Sequence, residues 1–297
     1  METPAHDNAT ITDLAAAHGI HLIPETITIN ELGLDFRVAI AETHDGERWV
    51  LRIPRRPDVT HRAAVEGRFL QRIAPHLDVA VPDWQIHTAE LIAYPLLPGA
   101  LGLTLTDEAT PHWHFEVESP TFAKSLGAFL AQLHSVDPQD VSDTGIDVLA
   151  PAEVRQGIRN DIALVQAEFD ISSKLLDRWS AWLSDDRYWP ARSTVTHGEI
   201  YPAHLLLSGE NIVGVLDWTT ANISDPARDF QFHRATVSDQ TFHKTVQYYV
   251  EHGGQVWPKF AEHCTELFSI SPVNYGIYAL TTEDPAHLAA AAAQLNP

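Results

Sequence analysis

The hydrophobic period of this chain changes once, at a segment bracketed by prolines. Up to Pro95 the apolar residues come in short runs bounded by turn residues. From Ser119 onward they recur every three to four positions. Between the two stretches stands Pro95-Leu96-Leu97-Pro98-Gly99, stiff and poor in backbone donors. Side chains alternate across a strand and repeat every 3.6 residues on a helix, so the switch predicts a β-rich N-terminal lobe, a short linker and a helical C-terminal lobe. The expected division is 1–95 and 96–297, in an α+β chain.

Local signals fill in that outline. Residues 11–19 read as a short helix, with Thr12 as a candidate N-cap. Phe36 to Ala41 and Trp49 to Ile53 read as strands joined by a turn holding Asp45-Gly46, with Pro54 ending the second. Residues 58–74 have helical spacing, and 83–88 and 90–95 are strand-like. Beyond the linker, Ser119-Pro120 opens a helix, followed by helical stretches at 151–168 and 172–184. Two short strands, 205–207 and 212–216, interrupt them before helices resume to the end.

A chain of 297 residues, 44% hydrophobic, can bury a sizeable core. Its single cysteine, Cys264, excludes an internal disulfide and a cysteine-based zinc cluster. The His197-Gly198-Glu199 triplet therefore lacks the cysteine pair that a zinc deaminase would need. Forty acidic residues against 19 basic ones leave a net charge of −21, which argues against nucleic-acid binding and would draw in a cationic substrate. The N-terminal residues lack the basic start and apolar stretch of a signal peptide, and no run is long enough to span a membrane. A cytoplasmic protein is expected.

The chemistry concentrates in His197-Gly198-Glu199-Ile200-Tyr201-Pro202-Ala203-His204-Leu205-Leu206-Leu207, followed by Val215-Leu216-Asp217-Trp218. Phosphoryl transfer asks little of a protein: one carboxylate to take the proton of the attacking hydroxyl, and one or two ligands for the magnesium on the nucleotide phosphates. An acid, a ligand five residues later, and an Asp after a hairpin supply those groups, with the hairpin setting the ligand spacing.

These residues resemble the catalytic loop of the macrolide 2'-phosphotransferases, within the aminoglycoside phosphotransferase and protein-kinase-like superfamily. The family loop reads His-Gly-Asp, four residues, then Asn or His, and the macrolide kinases have His there, as at His204. Leu51-Arg52-Ile53-Pro54-Arg55-Arg56-Pro57 and Asp217-Trp218-Thr219 point the same way. The resemblance implies a two-lobed protein-kinase-like fold that moves phosphate from GTP (ATP possible), with Mg2+, to the 2'-hydroxyl of a macrolide amino sugar. It casts Glu199 as the base, His204 and Asp217 as magnesium ligands, and Arg52 with Glu66 as the phosphate clamp. Gly33 would lie in the phosphate-covering loop, and Tyr94 and Leu96 against the purine. His197 would orient the loop and Asp229 support it, while Glu199, Ile200, Tyr275 and Tyr278 would face the macrolide.

One position departs from the family pattern. Residue 199 is Glu where Asp is usual, and the extra methylene extends its reach by ~1.5 Å. Displacements of about 1 Å can cost roughly 100-fold in rate. A kinase of another small alcohol, and a nucleotide-binding protein with weakened catalysis, stand as the alternatives. For several residues a plainer reading also stands: a surface ion pair for Arg52 and Glu66, a helix-terminal charge for Asp229, and core packing for Tyr275 and Tyr278.

Overall fold

A computed structural model of the protein describes residues 8–31, 35–56, 59–106 and 110–297. In the N-terminal part, α1 (Asn8–Ala17) precedes β1 (Thr28–Asn30), β2 (Phe36–Glu42) and β3 (Arg48–Pro54). Then α2 (Val59–Ile73) leads to β4 (Ile86–His87) and β5 (Ile92–Pro95). The five strands form one antiparallel sheet in the order β1-β2-β3-β5-β4.

Strand parity decides what each sheet face meets. Ala39, Ala41, Leu51, Ile53, Leu91 and Ala93 cluster with Ile11 and Ala15 of α1. Phe36, Val50, Ile92 and Tyr94 cluster with Val59 and Ala63 of α2. Arg52 has the parity of Val50, so it points to the α2 side. Thr12 lies inside α1, not at its cap: its hydroxyl donates to Asn8 O one turn back.

The linker after β5 runs into β6 (Ala100–Leu101), β7 (Leu103–Leu105) and β8 (Pro111–Trp113). Gly99 has φ +98°, and a Cβ there would sit 2.8 Å from Val213 Cγ2 and 3.0 Å from Leu207 O. Only glycine lets the linker lie that close to the second lobe.

The C-terminal part continues with α3 (Pro120–Ser135), α4 (Pro138–Val141), α5 (Pro151–Glu168) and α6 (Ser173–Ser184). Next come β9 (Thr194–Thr196), β10 (Leu205–Ser208), β11 (Asn211–Val215) and β12 (Asn222–Ser224). Five helices complete it: α7 (Gln231–Thr236), α8 (Asp239–Glu251), α9 (Phe260–Ser269), α10 (Ser271–Thr282) and α11 (Pro285–Leu295). The expected start of α3 holds, since Ser119 Oγ accepts the N–H groups of Thr121 and Phe122. One continuous core joins α3, α5, α6 and α9 to the short strands. This is the expected α+β, two-lobed kinase-like architecture. No helix among the described residues is long and apolar enough to cross a membrane.

Candidate active site

The β10–β11 hairpin brings two distant residues together. Leu205 pairs with Val215, and Leu216 N–H donates to His204 O at 2.8 Å, so His204 and Asp217 stand at the two open ends. His204 Nδ1–H donates to Glu199 O at 3.1 Å. That leaves the Nε2 lone pair free, 3.6 Å from Asp217 Oδ2. Asp217 adopts φ 57°, the left-handed region that costs a non-glycine residue on the order of 1–3 kcal/mol. Its other oxygen accepts from Thr219 Oγ1 at 2.6 Å. Burial works to raise the Asp217 pKa, but His204, the Thr219 hydroxyl and Arg52 outweigh it and hold the carboxyl below its usual value.

These two groups suit a magnesium site. His204 Nε2 and an ionised Asp217 carboxylate stand 3.6 Å apart at the two ends of the hairpin. No cluster of three or more acidic, His or Cys side chains among the described residues could hold a metal alone. The remaining ligands would be phosphate and water oxygens, as magnesium at nucleotide sites generally has.

Glu199 leads the same loop. Its side chain reaches solvent, yet surrounding protein raises its pKa, with Asp217 adding to the rise and His204 opposing it. The loop itself is held from behind. Asp229 accepts His197 N–H at 3.0 Å and Gly198 N–H at 2.7 Å. Gly198 has φ +88°, and a Cβ there would fall 2.6 Å from Thr220 O. His197 is fully buried: Nε2–H donates to Leu216 O at 2.9 Å, and Nδ1 accepts Glu199 N–H at 3.2 Å. Burial drives its pKa down to about 4, so the ring stays neutral and braces both ends of the loop.

On the opposite wall, Arg52 Nη1 meets Glu66 Oε1 at 2.9 Å, with both side chains buried. The guanidinium stacks on Phe36, 4.1 Å from the ring centroid, with Trp84 at 5.5 Å. Burial opposes the Arg52 charge, but Glu66, Tyr94 and Asp217 together raise its pKa. Burial raises Glu66, and Arg52 pulls it back. Because arginine stays charged in proteins, Glu66 is read as its counter-charge. An ordinary surface ion pair this is not. Tyr94 packs on the same side of the sheet, its phenol pushed up to about 12 by burial.

The chain matches the model of the phosphotransferase enzyme family named APH over residues 26–263. It belongs to that family. It is 55% identical to the crystal structure of the macrolide 2'-phosphotransferase MphH from Brachybacterium faecium, with a TM-score of 0.94 over 98% of both chains. It is 38% identical to a macrolide 2'-phosphotransferase type I, with a TM-score of 0.91 over 100% of this chain and 99% of the other. A GDP and kanamycin complex of an aminoglycoside 2"-phosphotransferase shares the fold at 16% identity and a TM-score of 0.77, over 98% and 97% of the two chains. Among curated proteins, the uncharacterized protein YcbJ of Bacillus subtilis (strain 168) is 37% identical, covering 94% of this chain and 92% of its own. The protein is a phosphotransferase.

The structure of this phosphotransferase places the remaining expected residues as follows. Leu96 cannot offer its N–H to a purine, because it donates to Arg48 O at 2.8 Å in the sheet. Ile200 is 3% exposed and belongs to the core, beside an apolar crevice walled by Trp113, Tyr201 and Phe232. Tyr275 and Tyr278 stack on each other at 6.1 Å, and Tyr275 Oη pairs with His287 Nδ1 of α11 at 2.8 Å. They tie α10 to α11 in this structure. Gly33 lies outside the described residues.

Sequence reasoning quoted Trp218 only as part of a motif, without a role, and missed His134. Trp218 is buried between Phe69 of α2, at 5.7 Å, and His197, at 4.6 Å, so it wedges the helix bearing Glu66 against the catalytic loop. His134 Nε2 meets Asp229 Oδ2 at 3.0 Å. His134 carried no signal beyond an ordinary position on an apolar helix pattern.

Proposed function

We propose that this phosphotransferase moves the γ-phosphate of GTP to the 2'-hydroxyl of the amino sugar of a macrolide antibiotic in the cytoplasm, inactivating it. The observation that carries the reading is one cleft edge holding Glu199, His204 and Asp217, in a chain whose whole length matches two macrolide 2'-phosphotransferases at 38% identity or more. His204 Nε2 and Asp217 would hold Mg2+, which when bound would neutralise charge on the phosphates. Arg52 would reach the phosphates, held by Glu66. Glu199 would accept the hydroxyl proton as the sugar oxygen bonds to the γ-phosphorus and the β–γ bridging oxygen leaves. Its raised pKa suits a proton acceptor better than that of an ordinary exposed carboxylate. The strongly negative chain attracts the protonated dimethylamino group next to that hydroxyl.

The test is phosphate transfer from GTP and from ATP, with magnesium, to a panel of macrolides and aminoglycosides, read by mass spectrometry. A gain of one phosphate on macrolides alone is expected, with GTP the better donor. Transfer to aminoglycosides only, or to no compound, would reject the proposed acceptor.

A further inference from the structure

A cavity of about 600 Å³ has none of Glu199, His204 or Asp217 in its lining. That volume is within the range of small-molecule sites, roughly 300–1,000 Å³. Its lining includes the stretch Arg192 to Thr194, which runs directly into β9 and the loop, and the turn at 253–257. Two further lining residues, His134 and Tyr249, are buried and hydrogen-bonded to each other at 2.9 Å.

These contacts form a continuous chain. Asp229 can only accept, so His134 Nε2 carries the proton of their 3.0 Å bond. The other ring nitrogen, His134 Nδ1, is hydrogen-bonded to Tyr249 Oη at 2.9 Å. Asp229 in turn accepts the N–H groups of His197 and Gly198. The path from cavity wall to catalytic loop is therefore Tyr249, His134, Asp229, and then the two amides that precede Glu199. Each link is buried and between 2.7 and 3.0 Å, so a shift of the Tyr249 ring has no solvent to absorb it.

The lining also states what would fit. Trp257, Val256 and Pro190 offer apolar surface, and Val256 is 42% exposed. Arg192 is exposed and makes no hydrogen bond or ion pair with any described residue, in a chain where acids outnumber bases two to one. The cavity's one carboxylate, Asp137, is already engaged, accepting Gln139 N–H at 2.9 Å. A free guanidinium beside an apolar wall selects a small molecule with an anionic head and an apolar body.

We infer that this cavity is a second ligand site, for a small amphipathic anion, and that its occupancy acts on the catalytic loop through Tyr249, His134 and Asp229. The probe is 1-anilinonaphthalene-8-sulfonate, titrated by fluorescence into the full chain alongside its neutral relative N-phenyl-1-naphthylamine. One saturable sulfonate site is expected, about tenfold tighter than the neutral dye. Saturating GDP and magnesium should not displace it, and Arg192→Gln should reduce it to the neutral dye's affinity. In the wild type, the sulfonate should slow amide hydrogen exchange in the segment holding His197 and Gly198. Tyr249→Phe, which keeps the ring, should still bind the dye but lose that effect. Equal binding of the two dyes, displacement by GDP, unchanged binding in Arg192→Gln, or unchanged exchange at His197 and Gly198 would each overturn the inference. No readout involves phosphate transfer, so a wrong macrolide assignment would leave this test intact.

Discussion

Two buried carboxylates flank the cleft, and they are finished to different degrees. Asp229 has both oxygens satisfied: Oδ1 by Gly198 N–H, and Oδ2 by His197 N–H and His134 Nε2. Burial works to raise its pKa, but His134, His197 and Gly198 lower it below the usual value. Glu66 receives Arg52 on Oε1, while Oε2 is buried with no hydrogen-bond partner among the described residues. The Trp218 backbone N–H lowers the Glu66 pKa without closing an ordinary hydrogen bond on Oε2. A satisfied buried carboxylate holds structure. One left half-satisfied costs on the order of 1–3 kcal/mol, which makes Glu66 the less settled of the two.

The strongest way to break this comparison is Asp229→Ala. It leaves two loop amides and His134 without their acceptor and should cost about 3–5 kcal/mol of stability, read by urea unfolding. A loss under 1 kcal/mol would remove Asp229 as the loop's anchor. Glu199→Gln should do the reverse. Its side chain is exposed, so the unfolding midpoint should hold while kcat falls roughly 10²–10⁴-fold. In the wild type, the proposed base would have to be ionised and its pKa is raised above 4.5, so kcat/KM should fall with acid along a limb centred above 4.5.

A third test concerns the loop's neutral histidine. His197, like His233, has its pKa lowered from 6.5 to about 4 by burial. Between those values the unfolded chain binds protons that the folded chain refuses. Stability from each ring is therefore full above pH 6.5 and is lost as pH falls toward 4, by up to roughly 3 kcal/mol each. Urea titrations at about pH 7 and pH 5 should show the drop, and equal midpoints would contradict the neutral assignment. The smallest effect belongs to the opposite wall. Arg52→Lys keeps the charge but loses the flat stack on Phe36, so the KM for nucleotide should rise about tenfold with little change in melting temperature. A large stability loss with unchanged KM would make the pair purely structural.

Much of this was legible in the sequence because it is local. The change of period near Pro95 marks where the five-stranded sheet ends, and the spacing from Glu199 to His204 to Asp217 is that of a loop and its hairpin. The partnership of Arg52 with Glu66 follows from strand parity and a position two turns into α2. The sequence alone therefore determined the class of fold and the loop and hairpin that carry the proposed reacting groups, because periodicity and short loops restrict backbone geometry within a few residues. Only the tertiary structure decided that Leu96 spends its N–H on Arg48, that Ile200 turns into the core, and that Tyr275 and Tyr278 bind α10 to α11. It also decided that His134, 95 residues from Asp229, holds the loop from behind. Those outcomes depend on which groups meet across long separations, and each such contact reads in the sequence as one more apolar or polar position on a helix or strand.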